Sequence, residues 1–213
     1  MEKTIIILTK SKKHSGYCVA GIDYETGEWI RLISSDKETE GAVPREDLAF
    51  SNGQFLEVYD IISCELVRPC GTEVQPENWL YDENVKWKKI GKSNLDEILE
   101  IHDFDSMDYI FENEDIKLSA DWKFEGNPSL CLVKIGDASI WVKTFEEKKI
   151  SLNFTYNNVQ YRYMGISQID LLDYYRNKAD GSYPLGTVFA VFSLTDRYYW
   201  NGKYYKVVAQ ILK

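Results

Sequence analysis

The chain has 213 residues, 44% apolar and 14% aromatic, which excludes a disordered chain and fits one large domain or two small ones. Its formal net charge of −9 argues against a polyanion partner only on average, since residues 1–45 are net 0, residues 46–127 net −13 and residues 128–213 net +4. The acidity belongs to one middle segment, so the whole-chain value says little about the field at either end.

The apolar run Ile5-Ile6-Ile7-Leu8 is too short for a membrane span or a signal-peptide core, and no small-residue cleavage site follows it. It reads as the buried first strand of a cytoplasmic protein. Residues 17–22 and 28–33 form a predicted hairpin, with Gly27 supplying the positive φ of its turn. On the return strand Ile30 and Leu32 share a face with Glu28, while Trp29 and Arg31 share the other with Ile33. Residues 55–67 read as one long strand, stopped at Arg68-Pro69 because proline cannot continue a central ladder. Ser93 or Asn94 is placed to cap a helix over residues 95–101, where Leu95, Ile98 and Leu99 share a face.

From His102 to Asp121 the periodicity is weak and acids dominate. Residues 103–127 are therefore expected to be an acidic linker or insertion between a first β unit with a short helix (1–102) and a second (128–213). In that second unit, residues 130–135 and 139–142 flank Gly136-Asp137 as a predicted hairpin, and residues 149–154 and 160–164 flank Asn157-Asn158 as another. Residues 168–178 read as a short helix ended by Gly181 and Pro184. Residues 187–194 and 205–212 read as strands around Asn201-Gly202, the strongest local hairpin signal in the chain. The expected fold class is mainly β with a few short helices.

Four cysteines (Cys18, Cys64, Cys70 and Cys131) form no CxxC pair, and His14 and His102 lie far apart, so the paired spacings of a zinc site are absent. Buried free thiols are the plainer expectation. No GxSxG elbow, HExxH, Walker-type loop or kinase signature occurs. The acids at Asp103, Asp105 and in Glu112-Asn113-Glu114-Asp115 lack the Gly-centred spacing of an EF-hand. No catalytic residue, metal ligand or cofactor is assigned.

The string Lys10-Ser11-Lys12-Lys13-His14-Ser15-Gly16-Tyr17-Cys18-Val19-Ala20-Gly21, followed by Thr26-Gly27-Glu28-Trp29-Ile30-Arg31-Leu32-Ile33-Ser34, resembles the opening of the dual OB-fold domain family. Ser193-Leu194 and Gly202-Lys203-Tyr204-Tyr205-Lys206-Val207-Val208-Ala209 resemble its close. The resemblance implies two small OB-like antiparallel barrels, a setting in prokaryotic conflict systems, and nucleic-acid binding.

Two clusters fit that chemistry. Lys10, Lys12, Lys13 and His14 lead into the first hairpin and could neutralise phosphates, with Arg31 adding a guanidinium beside Trp29 on the return strand. Arg197, Tyr198, Tyr199, Trp200, Lys203, Tyr204, Tyr205 and Lys206 mix cations with rings on which bases could stack. A sparser set (Lys143, Lys148, Lys149, Tyr156, Tyr161, Arg162, Tyr163) reads as a solvated hairpin. The leading expectation is a non-catalytic module binding nucleic acid, single strands in particular. Two alternatives stand beside it: an adaptor engaging a basic protein through the acidic segment 103–115, and a sensor holding a nucleotide-type ligand between the β units.

Overall fold

The computed structural model describes residues 1–119, 122, 127–195 and 202–212. The chain forms two compact units, Met1–Asp103 and Phe104–Lys213.

In the first unit, β1 (Glu2–Lys13), β2 (Gly16–Asp23), β3 (Trp29–Ile33), β4 (Asp60–Pro69) and β5 (Asn78–Tyr81) pair in the order β1-β2-β3-β5-β4. The sheet closes into a barrel where β4 returns to β1, and β3 runs parallel to β5. β6 (Lys88–Lys92) lies beside the start of β4, and α1 (Leu95–Ile101) follows. Ile5, Ile7, Val19, Ile30, Leu32 and Ile62 fill the interior, as strand alternation predicts. A barrel this small must curve sharply. The β1–β2 ladder slips between Ile7 and Thr9, and Gly21 crosses β1 so closely that a Cβ would meet the Ile6 carbonyl oxygen at 1.9 Å. The long strand expected from residue 55 starts only at Asp60, because Tyr59 at φ 74° turns the chain first. Asn94 caps α1 by accepting the Glu97 N–H at 3.1 Å.

The second unit contains β7 (Lys117–Leu118), β8 (Leu130–Thr144), β9 (Lys148–Tyr156), β10 (Val159–Ile166), α2 (Ile169–Arg176), β11 (Gly181–Leu194) and β12 (Tyr204–Leu212). Its order, β8-β9-β10-β12-β11 with β11 back against β8, repeats the first unit strand for strand, including the parallel pair β10–β12. Asn157 and Asn158 both take positive φ in the β9–β10 turn, as the sequence predicts. The hairpin expected at Gly136-Asp137 is absent. β8 runs through it as one strand, and Asp137 at φ 49° is the extra residue of a bulge.

The acidic stretch does not stand between two units; residues 104–118 pack on the second. The Asp105 carboxylate accepts the Leu132 N–H at 2.7 Å, Tyr156 and Tyr161 hydroxyls accept the N–H groups of Met107 and Ile110, and Ile110, Phe111 and Leu118 enter the core. The acids Asp108, Glu112, Glu114 and Asp115 face solvent, which is why composition suggested a linker while the interleaved apolar residues made an anchor. All four cysteines are free thiols, Cys64 and Cys131 buried and the other two half-buried. Among the described residues no helix is long and apolar enough to cross a membrane.

Candidate nucleic-acid interface

The basic residues of the first hairpin have local partners. Lys10 Nζ donates to the Leu56 carbonyl at 2.6 Å, and His14 lies 3.3 Å from the Glu40 carboxylate. Lys12 is exposed and Lys13 half-exposed. Trp29 and Arg31 are not at the surface at all. Trp29 packs edge-on to His102, and the Arg31 guanidinium donates to Glu77 at 2.8 and 3.1 Å and to Cys18 Sγ at 3.2 Å. The alternation of β3 was read correctly, but both of its faces are buried, so the mixed face is an internal one. Lys206 is likewise buried rather than presented to a ligand. It is 1% exposed, its Nζ donates to the Asn113 carbonyl and sits 5.6 Å from the Tyr161 ring, and burial pushes its pKa down to about 8. Lys203 is exposed and Tyr204 packs partly against the core. Arg197, Tyr198, Tyr199 and Trp200 lie outside the described residues.

A different surface gathers the chemistry that the clusters promised. On the second barrel, bulges flank β9 on both sides. Against β8, Gly136 and Ser139 pair with Thr155 and Asn153; against β10, Tyr161 and Met164 pair with Phe154 and Leu152. Each bulge holds a non-glycine residue in the left-handed region, Asp137 at φ 49° and Tyr163 at φ 60°. Such backbone is costly for a ring-bearing residue and concentrates at ligand sites. Here it reverses Tyr163. Tyr161 is 2% exposed and stacks on Phe154 in the core, whereas Tyr163, two residues on, is 56% exposed, its N–H held at 2.7 Å by Asn153 Oδ1.

The displaced Tyr163 ring meets Trp141 of β8 at 4.7 Å, edge to face, and Trp141 meets Phe145 at 6.1 Å. Phe145 is 62% exposed. Trp141 and Tyr163 line an open groove of about 420 Å³ together with Asp137, Asn153, Gln160 and Arg162. Arg162 donates to Gln160 Oε1 at 2.8 Å and makes no ion pair among the described residues, so its charge is available to an anion. Ser151, on the same outer face of β9 and paired in register with Trp141, is buried with its hydroxyl unpartnered among the described residues. Nearby cations are already engaged: Lys143 with Asp180, Lys149 with Glu147, and Lys148 with the carbonyls of Arg176 and Lys178. The groove is therefore an aromatic and hydrogen-bonding surface with one unpaired guanidinium, suited to flat polar rings.

Sequence reading passed over Trp141 and Phe145 and set Arg162 and Tyr163 aside as a solvated hairpin. One signal was present. Strict alternation from the buried Tyr161 turns Met164 toward solvent, and burying both requires one extra residue between them. Among the described residues no cluster of His, Cys, Asp and Glu is placed to hold a metal ion. In comparisons with known proteins, the family model of a dual OB-containing domain matches residues 3–211. No curated protein and no solved structure matches the chain.

Proposed function

The chain belongs to the dual OB-containing domain family, and from that premise we propose that it is a non-catalytic module binding single-stranded nucleic acid on the outer face of β9 and β10. OB folds commonly bind nucleic acids, using their second and third strands and the loops beside them. In the second barrel those strands are β9 and β10, and the outer face they share carries the groove. In the first barrel they are β2 and β3, whose residues from Val19 to Asp23 and from Trp29 to Leu32 are buried. The observation that carries the reading is the exposed Tyr163 ring against the half-buried Trp141, beside Arg162 on that open face. A setting in a prokaryotic conflict system is proposed with it, on the sequence resemblance.

Fluorescence anisotropy with labelled single-stranded oligonucleotides, at low and at physiological salt, tests the proposal. Trp141→Ala and Tyr163→Ala should each weaken binding about 5- to 150-fold, the range for losing one base-stacking ring. Because a single unpaired guanidinium lies at the groove, the salt dependence should be shallow, with a log–log slope on the order of −1. No anisotropy change at low salt would end the proposal.

A further inference from the structure

We propose that the groove prefers bases carrying two carbonyl oxygens around a ring N–H, uracil and thymine, over cytosine; the proposal rests on the nucleic-acid reading above. Its basis is a pair of amides whose orientation is fixed by chemistry. Asn153 Oδ1 accepts the backbone N–H of Tyr163 at 2.7 Å, and Gln160 Oε1 accepts Arg162 Nη2 at 2.8 Å. A backbone N–H and a guanidinium N–H can only donate, so in each case the amide oxygen must be the atom facing them. Each amide oxygen is thus turned to a donor of the protein while its NH2 stays whole for a ligand, and neither NH2 has a hydrogen-bond partner among the described residues.

Donors therefore predominate. Two amide NH2 groups and the remaining N–H groups of Arg162 line the groove, with the Thr155 and Ser182 hydroxyls able to donate or accept, against the carboxylate of Asp137 as its charged acceptor. The register puts Asp137 and Gln160 on opposite sides of β9 at the level of Thr155, with Asn153 two residues along. A base in this groove lies among several donors and one strong acceptor. Uracil and thymine answer with two carbonyl oxygens and a single ring N–H. Cytosine replaces one oxygen by an amino group with two hydrogens; the Asp137 carboxylate can take one, and the other is left facing donors. The bidentate reading of adenine by Asn or Gln needs amide oxygen and NH2 aimed together at one base, and here each oxygen is turned to Arg162 or to the Tyr163 N–H. The bulges thus fix specificity as well as shape, since the N–H that locks Asn153 belongs to the left-handed Tyr163.

The test compares labelled oligodeoxyuridine and oligodeoxycytidine of roughly eight nucleotides, within the site size of one OB fold. These differ in the base edge and closely match in ring size and backbone. The protein should bind the uridine oligomer about tenfold more tightly, the worth of one good hydrogen bond. In Asn153→Asp the side chain still accepts from Tyr163 but turns an oxygen where the NH2 was, so the uridine-to-cytidine ratio should fall to unity or invert. Gln160→Glu, at an exposed position, should shift the ratio the same way, and using the ratio cancels the added charge in both variants. Equal affinity for the two oligomers, or a wild-type ratio retained in both folded variants, would overturn the specificity while leaving the groove as a binding site. Failure to bind either oligomer would overturn the nucleic-acid reading itself.

Discussion

The wild-type protein is expected to gain stability as pH rises from about 8 to 10, and replacing Lys206 by Met should abolish that gain. Lys206 is enclosed in the second barrel, with its amine against the Asn113 carbonyl, the Tyr161 ring and, farther off, Asp115 and the Cys131 thiol. Burial is the dominant influence and lowers its pKa to about 8, against the smaller opposing pull of Cys131 and Asp115. In the unfolded chain the amine returns to its ordinary 10.5. Between those values the unfolded state holds the proton and the folded state does not, so stability rises with pH across that window. Below about pH 8 both states are charged and the folded one carries the full cost of a buried cation. The gap between the two pKa values corresponds to about 3 kcal/mol, most of it regained by pH 10. Urea unfolding of wild type and Lys206→Met at intervals from pH 7 to 10 isolates the effect, because other titrating groups cancel in the difference. A difference that stays flat across the window would refute the buried-amine argument. If Lys206 instead contacted phosphate, the substitution would weaken oligonucleotide binding at pH 7, and it is expected not to.

Tyr163→Gly should separate fold from function. Glycine removes the left-handed strain, raising stability by about 1 kcal/mol in thermal unfolding, while the lost ring weakens oligonucleotide binding about tenfold. Arg31→Met strands the buried Glu77 carboxylate and should cost about 3–5 kcal/mol in urea unfolding. Oligonucleotide affinity per folded molecule should remain at the wild-type value; a selective loss of affinity without loss of stability would restore Arg31 to the ligand surface.

Much of the fold was legible because the signals were local. The Asn157-Asn158 turn, the Asn94 cap, the buried apolar run of β1 and the alternation of β3 each depend on a few neighbouring residues, and each is where the residue types place it. The Gly136-Asp137 hairpin failed for a related reason: the same dipeptide suits a turn and a bulge, and only β9 and β11 pairing along the whole of β8 decides between them. Residues 103–127 read as a linker or insertion because composition averages over side chains. Ile110 and Phe111 are few among the acids, but they are the ones buried.

The sequence by itself determined a β-rich chain of two related units and, through its opening and closing strings, the family. It also supplied clusters of cations and aromatic rings, the residue types the proposed nucleic-acid reading draws on. Which of them face solvent was decided only by tertiary structure. Arg31 and Lys206 look like phosphate ligands in a string of letters, yet the strands that carry them are covered on both faces or closed by the docked acidic strap. Tyr163, by alternation a partner of Tyr161 in the core, is turned outward by one extra residue in a ladder whose other strand lies several residues away in the chain. Exposure belongs to pairings between strands and to what packs over them, and no single strand encodes it.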